Sequence, residues 1–180
     1  HHNALNIDLY LRIAPELYLK KLLIGGFPKV FEICRNFRNE GIDMTHNPEF
    51  TGAEFYESYS DAKKQKNFVE KMIKSLVKKV FKKTTVEYDG NLIDFSKKFA
   101  VVTYFDILRR LALLPNPESI TKEDLLLRAN QLGVITDSKD SIEKIMDSIY
   151  KRVCRQKLIQ PTFIIDYPVD YLPLAKRLPG

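Results

Sequence analysis

The chain has 180 residues and a net charge of +6. This length can bury one hydrophobic core and corresponds to about one domain. No segment approaches the roughly 18 apolar residues of a membrane helix, and we expect no signal peptide. Cys34 and Cys154 lie far apart and match no metal-binding spacing. We therefore expect a cytoplasmic protein with no membrane association, and we favour free thiols over a disulfide.

The first half of the chain predicts strands and helices around one long loop. Leu9–Ala14 predicts a strand, and Pro15 opens a helix that Gly25-Gly26 closes. Residues 31–56 predict two strands joined by the loop. Residues 62–83 predict an amphipathic helix, because apolar residues recur there with helical spacing.

The second half predicts a hairpin, three helices and a final strand. Asp89-Gly90-Asn91 is a hairpin signal, and Thr103 with Asp106 has the spacing of a capping box. The predicted hairpin strands are Thr85–Tyr88 and Leu92–Phe95. The first helix follows Thr103 and ends at Leu114, and the other two helices cover Lys122–Gln131 and Ser141–Arg155. An extended segment follows at Thr162–Ile165. This order indicates an α+β fold, an antiparallel sheet with a helical insertion.

The basic charge is concentrated in one predicted helix. Residues 62–83 hold nine lysines and one glutamate, a balance of +8, so the rest of the chain is slightly acidic. Lysines can neutralise nucleic-acid phosphates without reading sequence. A charge run of this kind is more often a solvated face, by roughly three to one, and we favour that interpretation.

Strand periodicity places a set of chemically useful residues on one sheet face. Side chains two apart in a strand share a face. If the two strands pair antiparallel, one face carries Glu32, Cys34, Asn36 and Arg38 beside Phe50, Gly52, Glu54 and Tyr56. The opposite face suits packing against helices and carries Phe31, Ile33, Phe37, Thr51, Ala53 and Phe55, with Arg35 among them.

Each of these residues has a structural explanation when it is taken alone. Charged residues on a solvated face often pair for little net stability, and Phe50 and Tyr56 are common sheet aromatics. The adjoining loop adds Glu40, His46 and Asn47. Together the set can hold a phosphate, a purine and a small zwitterion, so we interpret residues 31–56 as a binding site.

This run of residues closely resembles motif 2 of the class II lysyl-tRNA synthetases. Arg-Asn-Glu-Gly followed by His-Asn-Pro-Glu-Phe-Thr is similar to the lysine branch, whereas the aspartyl and asparaginyl enzymes share only the general form. The matching segments bracket nearly the whole chain and comprise His1–Asn3, Leu9–Tyr18, Phe37–Gly41, Thr45–Thr51, Glu54–Tyr56, Gln160–Ile164 and Pro173–Lys176.

The resemblance implies a partial catalytic domain, an antiparallel sheet flanked by helices. It assigns residues 1–103 to the motif 2 part of the core, 104–158 to a helical insertion, and 159–180 to a return strand. Motif 1 is expected before His1 and motif 3 after Gly180. The ligands of Mg²⁺ are likewise expected outside this segment, with none inside it. We therefore expect the 180 residues alone to be poorly active or inactive.

The implied activity is ATP-dependent activation of lysine to lysyl-adenylate, followed by transfer to tRNA, in a homodimeric full-length protein. Arg38 is the implied catalytic residue, which bridges the lysine carboxylate and the α-phosphate. The implied ATP-binding residues are Arg38, Glu40, His46, Asn47 and Phe50, whose ring stacks on adenine. The implied lysine-binding residues are Arg38, Glu54, Tyr56 and Glu16, which takes the α-ammonium.

Two positions depart from the family, and two other functions remain open. Gly52 stands where the family usually has Met, Ser or Thr, and Leu172 replaces a common serine.

One alternative is an adenylate-forming paralogue that modifies a translation factor; such relatives typically lack the Arg38–Gly41 sequence. The other is a non-catalytic binding module that reuses the fold, in which we expect at least one of Arg38, Phe50, Glu54 and Tyr56 to have been lost.

Overall fold

The computed structural model describes residues 1–42, 46–172 and 175. The chain divides into two compact units, His1–Gln65 and Lys66–Gly180. Within the described ranges, no helix has both the length and the apolar character needed to cross a membrane.

The first unit contains a helix and a two-stranded sheet, and both were predicted. Helix α1 spans Glu16–Ile24 and begins directly after Pro15. It ends at the predicted glycines, where Gly26 adopts a φ of +102°, a conformation that glycine tolerates best. Strands β1, Lys29–Phe37, and β2, Glu49–Glu57, then pair antiparallel. The predicted antiparallel pairing is confirmed.

The predicted strand Leu9–Ala14 does not form. This segment makes one backbone hydrogen bond to β1, from the Phe37 amide to the Arg12 carbonyl oxygen at 2.8 Å. Tyr10 and Leu11 are 89% and 69% exposed. One hydrogen bond does not make a ladder, so apolar composition alone was a poor guide here.

The sheet is covered on the face that carries Tyr56. Helix α1 contacts both strands, and its Lys20 ammonium lies 5.8 Å from the centre of the Tyr56 ring. We expected helices on the opposite face, but Phe31 and Ile33 there are 75% and 69% exposed. Phe37 and Phe55 on the same face are half-buried, so the exposed part of this face is its Phe31 and Ile33 end.

Helix α2 spans Ala62–Phe81, close to the predicted range of 62–83. Asp61 precedes it, and its carboxylate accepts a hydrogen bond from the Lys64 amide at 2.7 Å. The helix ends two residues early because Lys82 adopts a left-handed φ of +58°. Val77 on its apolar stripe is buried, which confirms the amphipathic pattern.

The second unit contains two further strand pairs. Strands β3, Thr85–Tyr88, and β4, Asn91–Asp94, form the predicted hairpin, with positive φ at Asp89 and Gly90. Strand β5, Ala100–Thr103, was not predicted. It pairs in parallel with β6, Thr162–Ile165.

Three helices form the core of the second unit. Helix α3, Tyr104–Leu111, is capped as predicted, since the Thr103 hydroxyl accepts from the Asp106 amide at 3.1 Å. Its predicted end at Leu114 is wrong, because Leu113 adopts a left-handed φ of +53°. Helix α4, Lys122–Gln131, matches the prediction.

Helix α5 is shorter than predicted and ends in an irregular segment. It spans Ile142–Ile149, and a π-helical turn, Tyr150–Cys154, and a short 3₁₀ turn, Arg155–Lys157, follow. The residues buried between the three helices include Ile107, Leu108, Leu125, Ala129, Ile145 and Ile149.

The architecture is α+β, as predicted. The described residues, however, form three separate two-stranded sheets, of which β1–β2 and β3–β4 are antiparallel and β5–β6 is parallel. A parallel pair needs a long crossover, and the helices α3 to α5 supply it here.

Candidate active site

The register of β1 and β2 places the predicted residues on one sheet face. Asn36 lies opposite Phe50, Cys34 opposite Gly52, and Glu32 opposite Glu54. Val30 lies opposite Tyr56 at the far end. Phe50, Gly52, Glu54 and Tyr56 therefore follow one another along β2, with Arg38 just past the end of β1.

Arg38 and Phe50 are in contact at one end of this face. The guanidinium carbon of Arg38 lies 5.1 Å from the centre of the Phe50 ring, which is within cation–π range. The Arg38 amide donates to the Pro48 carbonyl oxygen at 2.9 Å, which closes the base of the loop. Its Nε donates to the Ile13 carbonyl oxygen at 3.4 Å, so the segment before α1 helps to position the side chain.

Glu54 and Tyr56 form a hydrogen-bonded pair at the other end. The Tyr56 hydroxyl donates to Glu54 Oε2 at 2.8 Å. Burial, and then this hydrogen bond, raise the pKa of Tyr56 above its ordinary value of 10.0. Tyr56 therefore stays protonated at neutral pH and continues to donate, which keeps the Glu54 carboxylate oriented.

Glu16 lies at the same end of the face through its contact with Lys20. The two residues are one turn apart on α1, and the Lys20 ammonium contacts Glu16 Oε1. The same ammonium lies near the Tyr56 ring. A protein lysine thus bridges Glu16 and Tyr56, two of the residues implied to bind a lysine substrate.

The loop residues are brought together only in part. His46 Nε2 lies 3.9 Å from Glu40 Oε2, and both side chains are about half exposed. The Glu40 amide donates to the Arg38 carbonyl oxygen at 2.9 Å, so Glu40 turns back toward the Arg38 end. Asn47 is exposed. Thr45, Pro173, Leu174 and Lys176, which also carry the resemblance, lie outside the described residues.

Sequence reasoning missed three roles at this face. Lys20 was not identified as the partner of Glu16, although the i to i+4 spacing was a usable signal. Arg12 contacts Glu32, and this pairing had no signal in the sequence. Asn36 was placed on the face, but its nearly complete burial, with 1% exposed, required the structure.

Surface clefts do not identify the site. One cleft of about 350 Å³ lies among residues 113–131, and another of about 610 Å³ is lined by residues near Gly26 and Tyr59. Neither is lined by a predicted site residue.

The resemblance implies a Mg²⁺ ion, whose ligands are expected outside this segment. Across residues 1–42, 46–172 and 175, no three His, Cys, Asp or Glu side chains gather as a metal ion requires. The described residues do not fit a Mg²⁺ site.

The chain is similar to known proteins along its whole length. Lysine–tRNA ligases from Pelotomaculum thermopropionicum and Clostridium botulinum strain Loch Maree are each 45% identical to it, over 98% and 100% of this chain. The ligase from Buchnera aphidicola subsp. Baizongia pistaciae is 46% identical over 98% of the chain. The chain spans about a third of the length of these relatives, 35% of the first and 36% of the other two.

The family model that matches describes the class II tRNA synthetases for D, K and N, and it covers residues 1–179. This range includes every residue of the sheet face described above. The chain therefore belongs to the class II tRNA synthetases of the D, K and N group.

Proposed function

We propose that this chain is the part of a lysine–tRNA ligase that brings lysine and ATP together to form lysyl-adenylate. One observation carries the proposal: a single strand face holds the Arg38–Phe50 pair at one end and the Glu54–Tyr56 pair at the other. The names of the similar ligases favour lysine over aspartate and asparagine.

The spacing along β2 suits two substrates lying end to end. A strand rises about 3.3 Å per residue, so Phe50 and Tyr56 are separated by roughly 20 Å. The Phe50 ring offers a flat surface for adenine. Glu54 and Tyr56 offer a carboxylate and a hydroxyl for the ammonium group of lysine. We propose that the Arg38 side chain, which contacts the Phe50 ring in this structure, reaches from that end toward the middle of the face, where the two reacting anions would meet.

Arg38 is proposed as the catalytic residue because its planar fork can hold carboxylate and phosphate at once. A carboxylate oxygen of lysine forms a bond to the α-phosphorus, while the bond from that phosphorus to the oxygen bridging to the β-phosphate breaks. Pyrophosphate leaves with the electron pair. Arg38 orients the two anions and offsets their charge, and no protein nucleophile is needed.

Specificity for lysine is proposed to arise at Glu54, Tyr56 and Glu16. An uncharged amino acid would leave the Glu54 carboxylate without a cation, which is a strong basis for rejection. Glu16 takes the α-ammonium in this proposal, so a substrate must displace the Lys20 ammonium that it now contacts. Glu40, His46 and Asn47 are proposed to meet the ribose and the outer phosphates.

The remaining expectations form part of the same proposal. We infer that β1 and β2 belong to a larger antiparallel catalytic sheet and that residues 104–158 are an insertion. The pairing of β5 with β6 supports this division, since it brings the two ends of that segment side by side. Transfer to tRNA, a Mg²⁺ requirement, a cytoplasmic location and a homodimer are proposed for the full-length protein.

The test is amino-acid-dependent ATP–pyrophosphate exchange by the full-length protein, with lysine, aspartate, asparagine and β-lysine compared. Exchange with lysine that is lost in Arg38→Ala would support the proposal. Exchange with another amino acid would retain adenylation but overturn the assignment of lysine. No exchange with any of the four would favour a binding module.

A further inference from the structure

Two glutamates lie directly opposite each other on the proposed substrate face. Glu32 on β1 is in register with Glu54 on β2, and strand periodicity places both on the face that carries Tyr56. Directly opposed residues of an antiparallel pair have β-carbons roughly 5 Å apart, and like charges in such a pair destabilise the sheet. The two carboxylates therefore need separate partners.

The partners of the two glutamates differ in charge. Arg12 Nη1 donates to Glu32 Oε1, so the charge of Glu32 is compensated by a cation. Glu54 Oε2 accepts from the Tyr56 hydroxyl at 2.8 Å, and this donor is neutral. In the described part of the chain, no lysine, arginine or histidine forms an ion pair with Glu54. The negative charge of Glu54 is thus left for a ligand.

Arg12 reaches Glu32 from the other end of β1. The Phe37 amide donates to the Arg12 carbonyl oxygen at 2.8 Å, which ties residue 12 to the last residue of the strand. Glu32 lies five residues earlier, so the Arg12 side chain extends along β1 to contact it. Both side chains remain partly exposed, 43% for Arg12 and 34% for Glu32, so the pair can be broken without leaving a buried charge.

Resting on the proposed function, we propose that Arg12 is a positioning residue for the substrate lysine and acts through Glu32. Arg12 holds the Glu32 carboxylate away from Glu54, and Glu32 in turn holds the Arg12 guanidinium away from Glu54. The side-chain ammonium of the substrate then meets one uncompensated carboxylate of the two opposed glutamates, with the Tyr56 hydroxyl beside it. The Arg12–Glu32 pair thereby sets the charge of the proposed lysine pocket.

Two single variants should shift the KM for lysine in opposite directions. In Glu32→Gln the Arg12 guanidinium loses its partner and can pair with Glu54, so it competes with the substrate ammonium. In Arg12→Gln the freed Glu32 carboxylate adds negative charge beside Glu54, which attracts the substrate ammonium. We expect the KM for lysine to rise about two- to fivefold in the first variant and to fall by about the same factor in the second.

The double variant Arg12→Gln/Glu32→Gln removes both charges and should return the KM for lysine to the wild-type value. All variants are compared in ATP–pyrophosphate exchange by the full-length protein, and the KM for ATP should stay unchanged. Added salt should reduce both single-variant shifts, because screening weakens an interaction between charges but does not restore lost packing. Glu49→Gln is the matched control, since it frees Arg35 on the opposite face and should leave the KM for lysine unchanged.

Shifts of the two single variants in the same direction, or no shift in either, would overturn the inference. Equal changes in the KM for ATP, or shifts that salt does not reduce, would overturn it as well. If one single variant does not fold, the sign of the other and the recovery in the double variant still decide. Each of these results requires lysine-dependent exchange by the wild type and so leaves the proposed function standing. A wild type without lysine-dependent exchange would reject the proposed function and this inference together.

Discussion

Replacing Tyr56 by Phe removes a hydroxyl that orients the Glu54 carboxylate and changes little else. The hydroxyl donates to Glu54 Oε2 at 2.8 Å, and the raised pKa of Tyr56 keeps the donor protonated. Hydrogen bonds to a charged group contribute about 1.5–3 kcal/mol. Because Tyr56 is only partly buried, we take the lower limit, which corresponds to roughly a tenfold change.

The expected result is a rise of about tenfold in the KM for lysine, with the KM for ATP unchanged. The two constants should separate because Phe50 lies six positions away along β2, at roughly 20 Å. Both are measured in ATP–pyrophosphate exchange with the full-length protein. Tyr59→Phe is the matched control, since Tyr59 is fully exposed and three residues further along the chain.

Two outcomes would refute this reasoning. An unchanged KM for lysine would mean that Glu54 and Tyr56 do not line the lysine site. Equal increases in both KM values would indicate a general disturbance of the sheet instead of a defined lysine end. A loss in Tyr59→Phe of the same size would point to the same conclusion.

Two further predictions concern stability. Hydrogen bonds from Lys64 and Lys29 lower the pKa of Glu57 from 4.5 to about 2. The contribution of Glu57 to stability is therefore present above pH 4.5 and is lost as the pH falls toward 2. Glu57→Gln should lower the urea midpoint of unfolding at pH 7 and lower it much less near pH 2, and an equal decrease at both pH values would contradict this linkage. Leu125→Ala should lower the free energy of unfolding by about 2–5 kcal/mol, since Leu125 is fully buried. Leu113→Ala is the control and should have little effect in the same urea titration, because the Leu113 side chain is exposed.

The strands around the candidate site could be predicted because their information is local. A period of two places Arg38, Phe50, Glu54 and Tyr56 relative to one another once a strand is assumed. The cap at Thr103 was predictable for the same reason, as a contact three residues away. Strand β5 was missed because it is only four residues long and its partner, β6, is distant in the chain.

Other features depended on contacts that a sequence does not encode locally. The segment 9–14 has the composition of a strand but makes a single backbone hydrogen bond to β1, which is too few for strand pairing. Helix α5 ends in a π-helical turn beneath packed aromatic rings, among them Tyr104 and Tyr150 at 5.2 Å. At the site, the burial of Asn36 and the position of Lys20 over Tyr56 follow from register and helix orientation.

Two arginines, one within β1 and one just past its end, separate the proposed catalytic role from a general effect of charge. Arg38 is next to Phe50, whereas Arg35 lies on the opposite face and pairs with Glu49 at 3.1 Å. Lysine-dependent ATP–pyrophosphate exchange by the full-length protein should fall by roughly 10²- to 10³-fold in Arg38→Lys, because the charge remains but the fork is lost. Arg35→Lys should exchange like the wild type. Equal rates in the two variants would contradict the assignment of Arg38 as the residue that joins lysine and ATP.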